Sequence, residues 1–191
     1  MRKLFLLVFV LISQVTFAQK TVKPAPSVPM VNNEIVYEED YTVSGHSQAQ
    51  FFHNAEAWFV KRYNSSEEIE SKDAATGKVL GNGIETLIFK GPMGMDVPCK
   101  IKMKIEIVSK DSGYKVKIYN IVYGYQAEPT DERTFFSAED LSKYVTTGKN
   151  PKNEQGINIV PLTKKRSIKA LEGLTPFVNN ILASINQTMK E

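Results

Sequence analysis

Two histidines, a single cysteine and a run of alternating lysines are the residues of this chain that bear most directly on chemistry. His46, His53 and Glu56 offer imidazole and carboxylate ligands, but His46 precedes a helix cap, and His53 and Glu56 stand one turn apart on a helix edge. No third close ligand follows, so we read a solvated edge and expect no metal. Cys99 shares parity with Ile101 and Met103 and should face the core. A buried thiol resists ionisation, so we assign it no nucleophilic role. No G-x-S-x-G, phosphate-loop or dinucleotide fingerprint occurs, and Gly81-Asn82-Gly83 lacks the following helix that a phosphate loop requires. The carboxylates of Glu38, Glu39, Asp40, Glu67, Glu68 and Glu70 lie near lysines and read as surface charge, not as an acid/base pair. We therefore name no catalytic residue and expect no cofactor.

One constellation suggests binding. Strict alternation puts Cys99, Ile101, Met103, Ile105 and Ile107 on one strand face and Lys100, Lys102, Lys104 and Glu106 on the other. If a second strand follows with the same alternation, Lys115, Lys117, Tyr119, Tyr123 and Tyr125 join that outer side. Cations beside aromatic faces suit an anionic glycan, a lipid headgroup or a partner protein. The competing reading is a solvated face whose lysines pair with acidic residues of neighbouring strands.

Elements that position these residues follow from local signals. Ile35 to Val43 alternates as a half-buried strand. Ser47 and Gln50 form a capping box, and Phe51, Phe52, Ala55, Trp58, Phe59 and Tyr63 trace one helical face that Asn64-Ser65-Ser66 stops. Strands are expected over 67–72 and 78–90, with Gly81 and Gly83 suggesting a bulge or a start shifted to about Ile84. Lys110-Asp111-Ser112-Gly113 fits a four-residue hairpin loop with Gly113 left-handed, which opposes Ile107 to Val116, Ile105 to Ile118, Glu106 to Lys117 and Lys104 to Tyr119. Ser137 and Asp140 cap a short helix through Val145. A last helix from near Ser167 carries Ile168, Leu171, Leu174, Val178, Ile181, Leu182, Ile185 and Met189 on one stripe, with Pro176 expected to kink it. The order predicts an α+β fold, an antiparallel sheet of about five strands with helices packed on one face.

The first residues predict the compartment. Arg2 and Lys3, an apolar run from Leu4 to Ile12, and Thr16-Phe17-Ala18 make a secretory signal cleaved before Gln19. The run is shorter than the roughly 20 residues that span a bilayer, and no cysteine follows it to take a lipid. Removing residues 1–18 takes two of the 24 basic and none of the 21 acidic residues, leaving 22 against 21 and a net charge of +1. A near-neutral exported chain argues against nucleic acid. We expect residues 19–33 to be an extended, proline-bearing tether and residues 34–191 to be one domain, with a core over 35–125 and a helical part over 134–191. A lone cysteine leaves stability to packing.

Several phrases carry a family resemblance: Glu56-Ala57-Trp58-Phe59 ending in Tyr63, Ser66-Glu67-Glu68-Ile69-Glu70 through Gly81-Asn82-Gly83, and Lys110-Asp111-Ser112-Gly113-Tyr114-Lys115-Val116. Over about Ile35 to Tyr125 the chain resembles the bacterial domain of unknown function 4468, exported proteins of Bacteroidetes-type bacteria. The resemblance implies a TBP-like fold and carries no catalytic residue across. The function expected is a non-catalytic binding or interaction domain of the periplasm or cell envelope. Its partner would be an envelope protein, a glycan or an anionic small molecule. The alternatives are an enzyme whose site is assembled only by the fold, and an anionic-ligand binder using the lysine-tyrosine face.

Overall fold

The computed structural model describes residues 26–127 and 130–191. The expected signal peptide at 1–18 lies outside the described residues, as does the first part of the expected tether. Among the described residues, eight strands and three α-helices follow one another: β1 (Met30–Val31), β2 (Glu34–Ile35), β3 (Tyr37–Thr42), α1 (Gln48–Tyr63), β4 (Ile69–Asp73), β5 (Lys78–Lys90), β6 (Asp96–Lys110), β7 (Gly113–Tyr125), β8 (Thr134–Ser137), α2 (Ala138–Thr147) and α3 (Lys164–Thr188).

Strands β3 to β8 form one antiparallel sheet in the order β3-β7-β6-β5-β4, with β8 also on β7. The strand count exceeds the expected five because β8 adds a sixth. β3 pairs with the first half of β7 and β8 with its last residues, Val122 to Tyr125, so the two share one edge end to end. β1 and β2 make a separate ladder, Met30 opposite Ile35. From residue 26 on, the stretch expected as a tether is engaged with the domain: Val28 packs on the core, and Pro29 accepts a backbone hydrogen bond from Val36 at 3.2 Å.

All three helices bury their apolar residues with the inward parity of the strands in one core. Ile101, Ile105 and Ile107 of β6 and Val116 and Ile118 of β7 are fully buried there. The capping box at Ser47 and Gln50 forms, and Asn64 closes α1 in the left-handed conformation at φ 53°. Ser137 caps α2 through Asp140, as its spacing predicts, while α3 starts earlier than Ser167, capped by Thr163. Pro176 lies inside α3.

The hairpin register is the expected one, but its loop is tighter. Lys110 pairs with Gly113, and Ser112, not Gly113, takes the left-handed conformation at φ 64°. Gly113 instead stands where a Cβ would come within 2.4 Å of the Tyr41 carbonyl oxygen, so its small size lets β3 lie close. β5 runs unbroken from Lys78 through both glycines. The bulge lies in its partner β4, between Ile69 and Ser71. Among the described residues, no helix is long and apolar enough to cross a membrane.

Candidate functional site

The outer face of the sheet, opposite the helices, is where the lysines emerge. Lys100, Lys102 and Lys104 alternate outward from β6, and Lys115, Lys117 and Tyr119 do so from β7. Most of this charge is neutralised by adjacent strands. Lys104 pairs with Glu70 of β4. Lys115 meets Glu38 at 2.6 Å, which raises the lysine's pKa, and Lys110 meets Asp40 at 3.5 Å. Glu106 accepts from Lys78 at 2.5 Å. Pairs this exposed contribute little to stability, because solvent screens them. Lys117 lies over the Tyr119 ring at 4.7 Å and Lys102 over the Phe135 ring at 4.4 Å. Lys100 and Lys102 have no carboxylate partner among the described residues.

Tyr123 and Tyr125 do not belong to this face, and the reason is a single extra residue in β7. Lys104 opposes Tyr119 and Lys102 opposes Val122, so one β6 residue faces two on β7, with Asn120 at φ 51°. Such a bulge exchanges the faces of everything beyond it. Tyr123 is fully buried, stacks on Phe136 at 5.6 Å and donates its hydroxyl to the Ala170 carbonyl at 3.3 Å. Burial holds its pKa far above the ordinary tyrosine value. Tyr125 turns the same way and meets Arg166 at 3.2 Å.

Their place outside is taken by apolar groups. Val122 faces a trough of about 440 Å³ with Ile84, Lys102, Asn120 and Phe135. Ile84 and Phe135 in that lining are 40% and 47% exposed, and Ile88, farther along the outward side of β5, is 59% exposed, on the face that carries Lys100 and Lys102. The alternation could have shown this: the inward apolar step from Ile118 to Ile121 is three residues, not two.

At the end of the sheet where β5 meets β6, the trough gives way to a cleft of about 460 Å³. Lys100, Arg133 and Arg166 reach it from β6, from the segment before β8 and from the first turn of α3. Neither arginine belongs to an alternating strand or to an apolar helical stripe. The available signal was the start of α3, Lys164-Lys165-Arg166 with no acidic residue in its first turn, which sets cations against the positive end of a helix.

Cys99 is buried and donates weakly to the Gly124 carbonyl at 3.5 Å. Burial pushes its thiol up to about 12, with Arg133 opposing, so little thiolate forms at neutral pH. His46 stacks on Phe51 at 5.2 Å, His53 is exposed, and Glu56 pairs with Lys72 at 2.6 Å. No group of three or more His, Cys, Asp or Glu among the described residues is arranged to hold a metal ion.

Residues 37–124 match a family model described as "Domain of unknown function (DUF4468) with TBP-like fold". A TBP-like protein from Parabacteroides distasonis ATCC 8503 is similar in structure at TM-score 0.63 and 20% identity, over 86% of this chain and 97% of that one. A DUF4468 family protein from Bacteroides ovatus ATCC 8483 aligns at TM-score 0.64 and 19% identity, over 86% of this chain and 91% of that one. At these identities the likeness speaks to fold alone. No curated protein matches the sequence. With its order of strands and helices and the family match over β3 to β7, the segment 37–124 is similar to the DUF4468 domain, and the chain has a TBP-like fold.

Proposed function

We propose that the chain is an exported, non-catalytic domain of the cell envelope that binds an anionic ligand on the outer face of its sheet. The observation that carries this reading is the contrast among the lysines. Lys104 and Lys115 are neutralised by neighbouring carboxylates, whereas Lys100 and Lys102 have none among the described residues and share their face with the exposed side chains of Ile84, Ile88 and Phe135. A face kept only for solubility would have its charges paired and its apolar groups covered. Unpaired ammonium groups next to apolar surface suit a ligand that combines anionic and apolar parts.

Export is supported by the N-terminal pattern of Arg2, Lys3, the apolar run and Thr16-Phe17-Ala18. N-terminal sequencing of the protein recovered from the envelope should begin at Gln19. Retention of Met1 would overturn that part.

Binding is tested on immobilised sulfated glycan, polygalacturonate and a phosphomonoester resin, with dextran as the neutral control. The protein should be retained on at least one anionic support and released by salt, because such contacts are screened within about 10 Å at 0.1 M. Lys100→Gln with Lys102→Gln should weaken retention while leaving the unfolding midpoint nearly unchanged, since both side chains are exposed. Passage through every anionic support at low ionic strength would sink the reading.

A further inference from the structure

The cleft at the end of the sheet holds more positive charge than its own structure uses. Among the described residues, Asp96 is the one carboxylate in its lining, and Lys90 already engages it at 2.5 Å. Lys100, Arg133 and Arg166 therefore face the space without a carboxylate partner among the described residues. Both guanidinium groups are held by neutral acceptors. Arg133 donates to the Gln126 side-chain oxygen at 3.0 Å, and Arg166 donates to the Tyr125 hydroxyl at 3.2 Å. Each guanidinium has five N–H donors, so one bond fixes its direction and leaves others for a ligand.

The backbone is shaped to bring Arg133 there. A Cβ at Gly124 would come within 2.8 Å of the Arg133 Cδ and 2.8 Å of a Phe135 ring carbon. Only a residue without a side chain lets the arginine stem lie across β7. Arg166 stands in the first turn of α3 beside Lys164 and Lys165, where helix amides and neighbouring cations all oppose a further positive charge. Crowding of this kind weakens the free protein and is relieved by an anion.

Two guanidinium forks and an ammonium match a tetrahedral oxyanion carrying two charges better than a single carboxylate. The space exceeds what a bare phosphate fills, and Val97, Pro98 and Ala127 give it an apolar side for an organic group. We infer that this cleft binds the phosphate of a phosphomonoester, with Arg133, Arg166 and Lys100 as its donors and Gly124 as the residue that admits Arg133. The inference rests on the anion-binding reading above and narrows it to one end of the sheet.

The test is calorimetric titration of the exported chain with glycerol phosphate, with glycerol as the neutral control, alongside sedimentation with phosphatidic acid and phosphatidylcholine vesicles. Glycerol phosphate or phosphatidic acid should bind with an affinity that falls as salt rises, and glycerol and phosphatidylcholine should not bind. Binding of the soluble ester assigns the site to a free phosphorylated molecule, and binding of the vesicles alone assigns it to a lipid headgroup. Arg133→Gln and Lys100→Gln, both at exposed positions, should each weaken the bound probe about tenfold, as loss of a charge-assisted hydrogen bond does. Arg166→Gln is read only if its unfolding midpoint matches the parent's, because Arg166 also holds Tyr125. Unchanged affinity in Arg133→Gln and Lys100→Gln overturns the cleft assignment. Because Lys100 borders both surfaces, Arg133→Gln and Lys102→Gln separate them: if an anionic support still retains Arg133→Gln and Lys102→Gln weakens that retention, the outer-face reading survives alone. Silence toward every anionic probe overturns both.

Discussion

Trp58→Ala lowers the free energy of unfolding by about 3 to 5 kcal/mol, the range for truncating a buried aromatic. Trp58 is only 1% exposed. Its indole stands edge-on to Phe59 at 4.9 Å and to Tyr63 at 5.9 Å, and its N–H donates to the Ser184 hydroxyl of α3 at 3.1 Å. One side chain therefore fastens α1 to α3 above the sheet. Removing it opens a cavity lined by rings that α1 holds in place, so the gap closes only partly. Far-UV circular dichroism in urea is the suitable readout, because the substitution removes the chain's one tryptophan. Trp58→Phe separates the two contributions. It keeps most of the packing and loses the bond to Ser184, for a cost of about 1 kcal/mol. Equal midpoint shifts for the two variants would place the energy in the hydrogen bond, and no shift in either would refute the role of Trp58 as the fastening between the helices.

Where side chains alternate under a single rule, the fold could be read from the residues. β6 puts isoleucines inside and lysines outside without exception from Cys99 to Ile107, so its face and its register against β7 follow from period two alone. The caps at Ser47 and Ser137 are equally local, since each needs only a hydroxyl and a residue three positions later. Reading failed where geometry departs from the period. The bulge at Asn120 costs one residue and reverses two tyrosines, and its one trace in the sequence is the three-residue inward step from Ile118 to Ile121, which the outward series Lys115, Lys117, Tyr119 hides. β8 has two successive aromatics, Phe135 outside and Phe136 inside, and so presents no alternation to detect. It forms because β7 continues past β3 and offers it an unpaired edge.

The candidate site was legible only in its β6 part. Lys100 and Lys102 could be placed outside because they belong to the alternating strand. Arg133 and Arg166 come from separate segments that share no pattern with β6, and only the topology brings them to Lys100. The sheet-face lysines also divide in a way that composition does not reveal. Their pairing depends on which strand becomes the neighbour: β4 supplies Glu70 to Lys104, and β3 supplies Glu38 to Lys115. Toward the β5–β6 end, β3 gives way to β8, whose outward residue is Phe135 and not a carboxylate. The change of neighbour along β7, together with the end of the β4 ladder at Ile69 and Gly81, leaves Lys100 and Lys102 without a carboxylate partner among the described residues.

Gly81→Val should lower stability by about 3 kcal/mol, near the upper end of the overpacking range, although valine is the better strand former. A Cβ at Gly81 would stand 2.4 Å from Phe59 Cε1 and 2.7 Å from the Glu68 carbonyl oxygen. Neither neighbour can yield cheaply. Phe59 is fully buried and braced edge-on against Trp58, and the Glu68 carbonyl accepts the Asn82 amide at 2.7 Å where β4 bulges. Strand propensity and reduced chain entropy favour any residue over glycine by about 0.5 to 1 kcal/mol, too little to offset that contact. Gly83 supplies the control. Its Cβ would stand 2.9 Å from Ile105 Cδ1, Met103 Cγ and the Tyr63 hydroxyl, atoms toward the far ends of side chains that can shift by a few tenths of an ångström. The expected order of stability is therefore parent, then Gly83→Ala, then Gly81→Ala, then Gly81→Val. Denaturant midpoints followed by Trp58 emission report both the loss and its origin, because displacement of Phe59 changes the indole's surroundings before the chain unfolds. A Gly81→Val protein as stable as its parent would mean that α1 does not lie this close to β5, and that the glycine serves the β4 bulge alone.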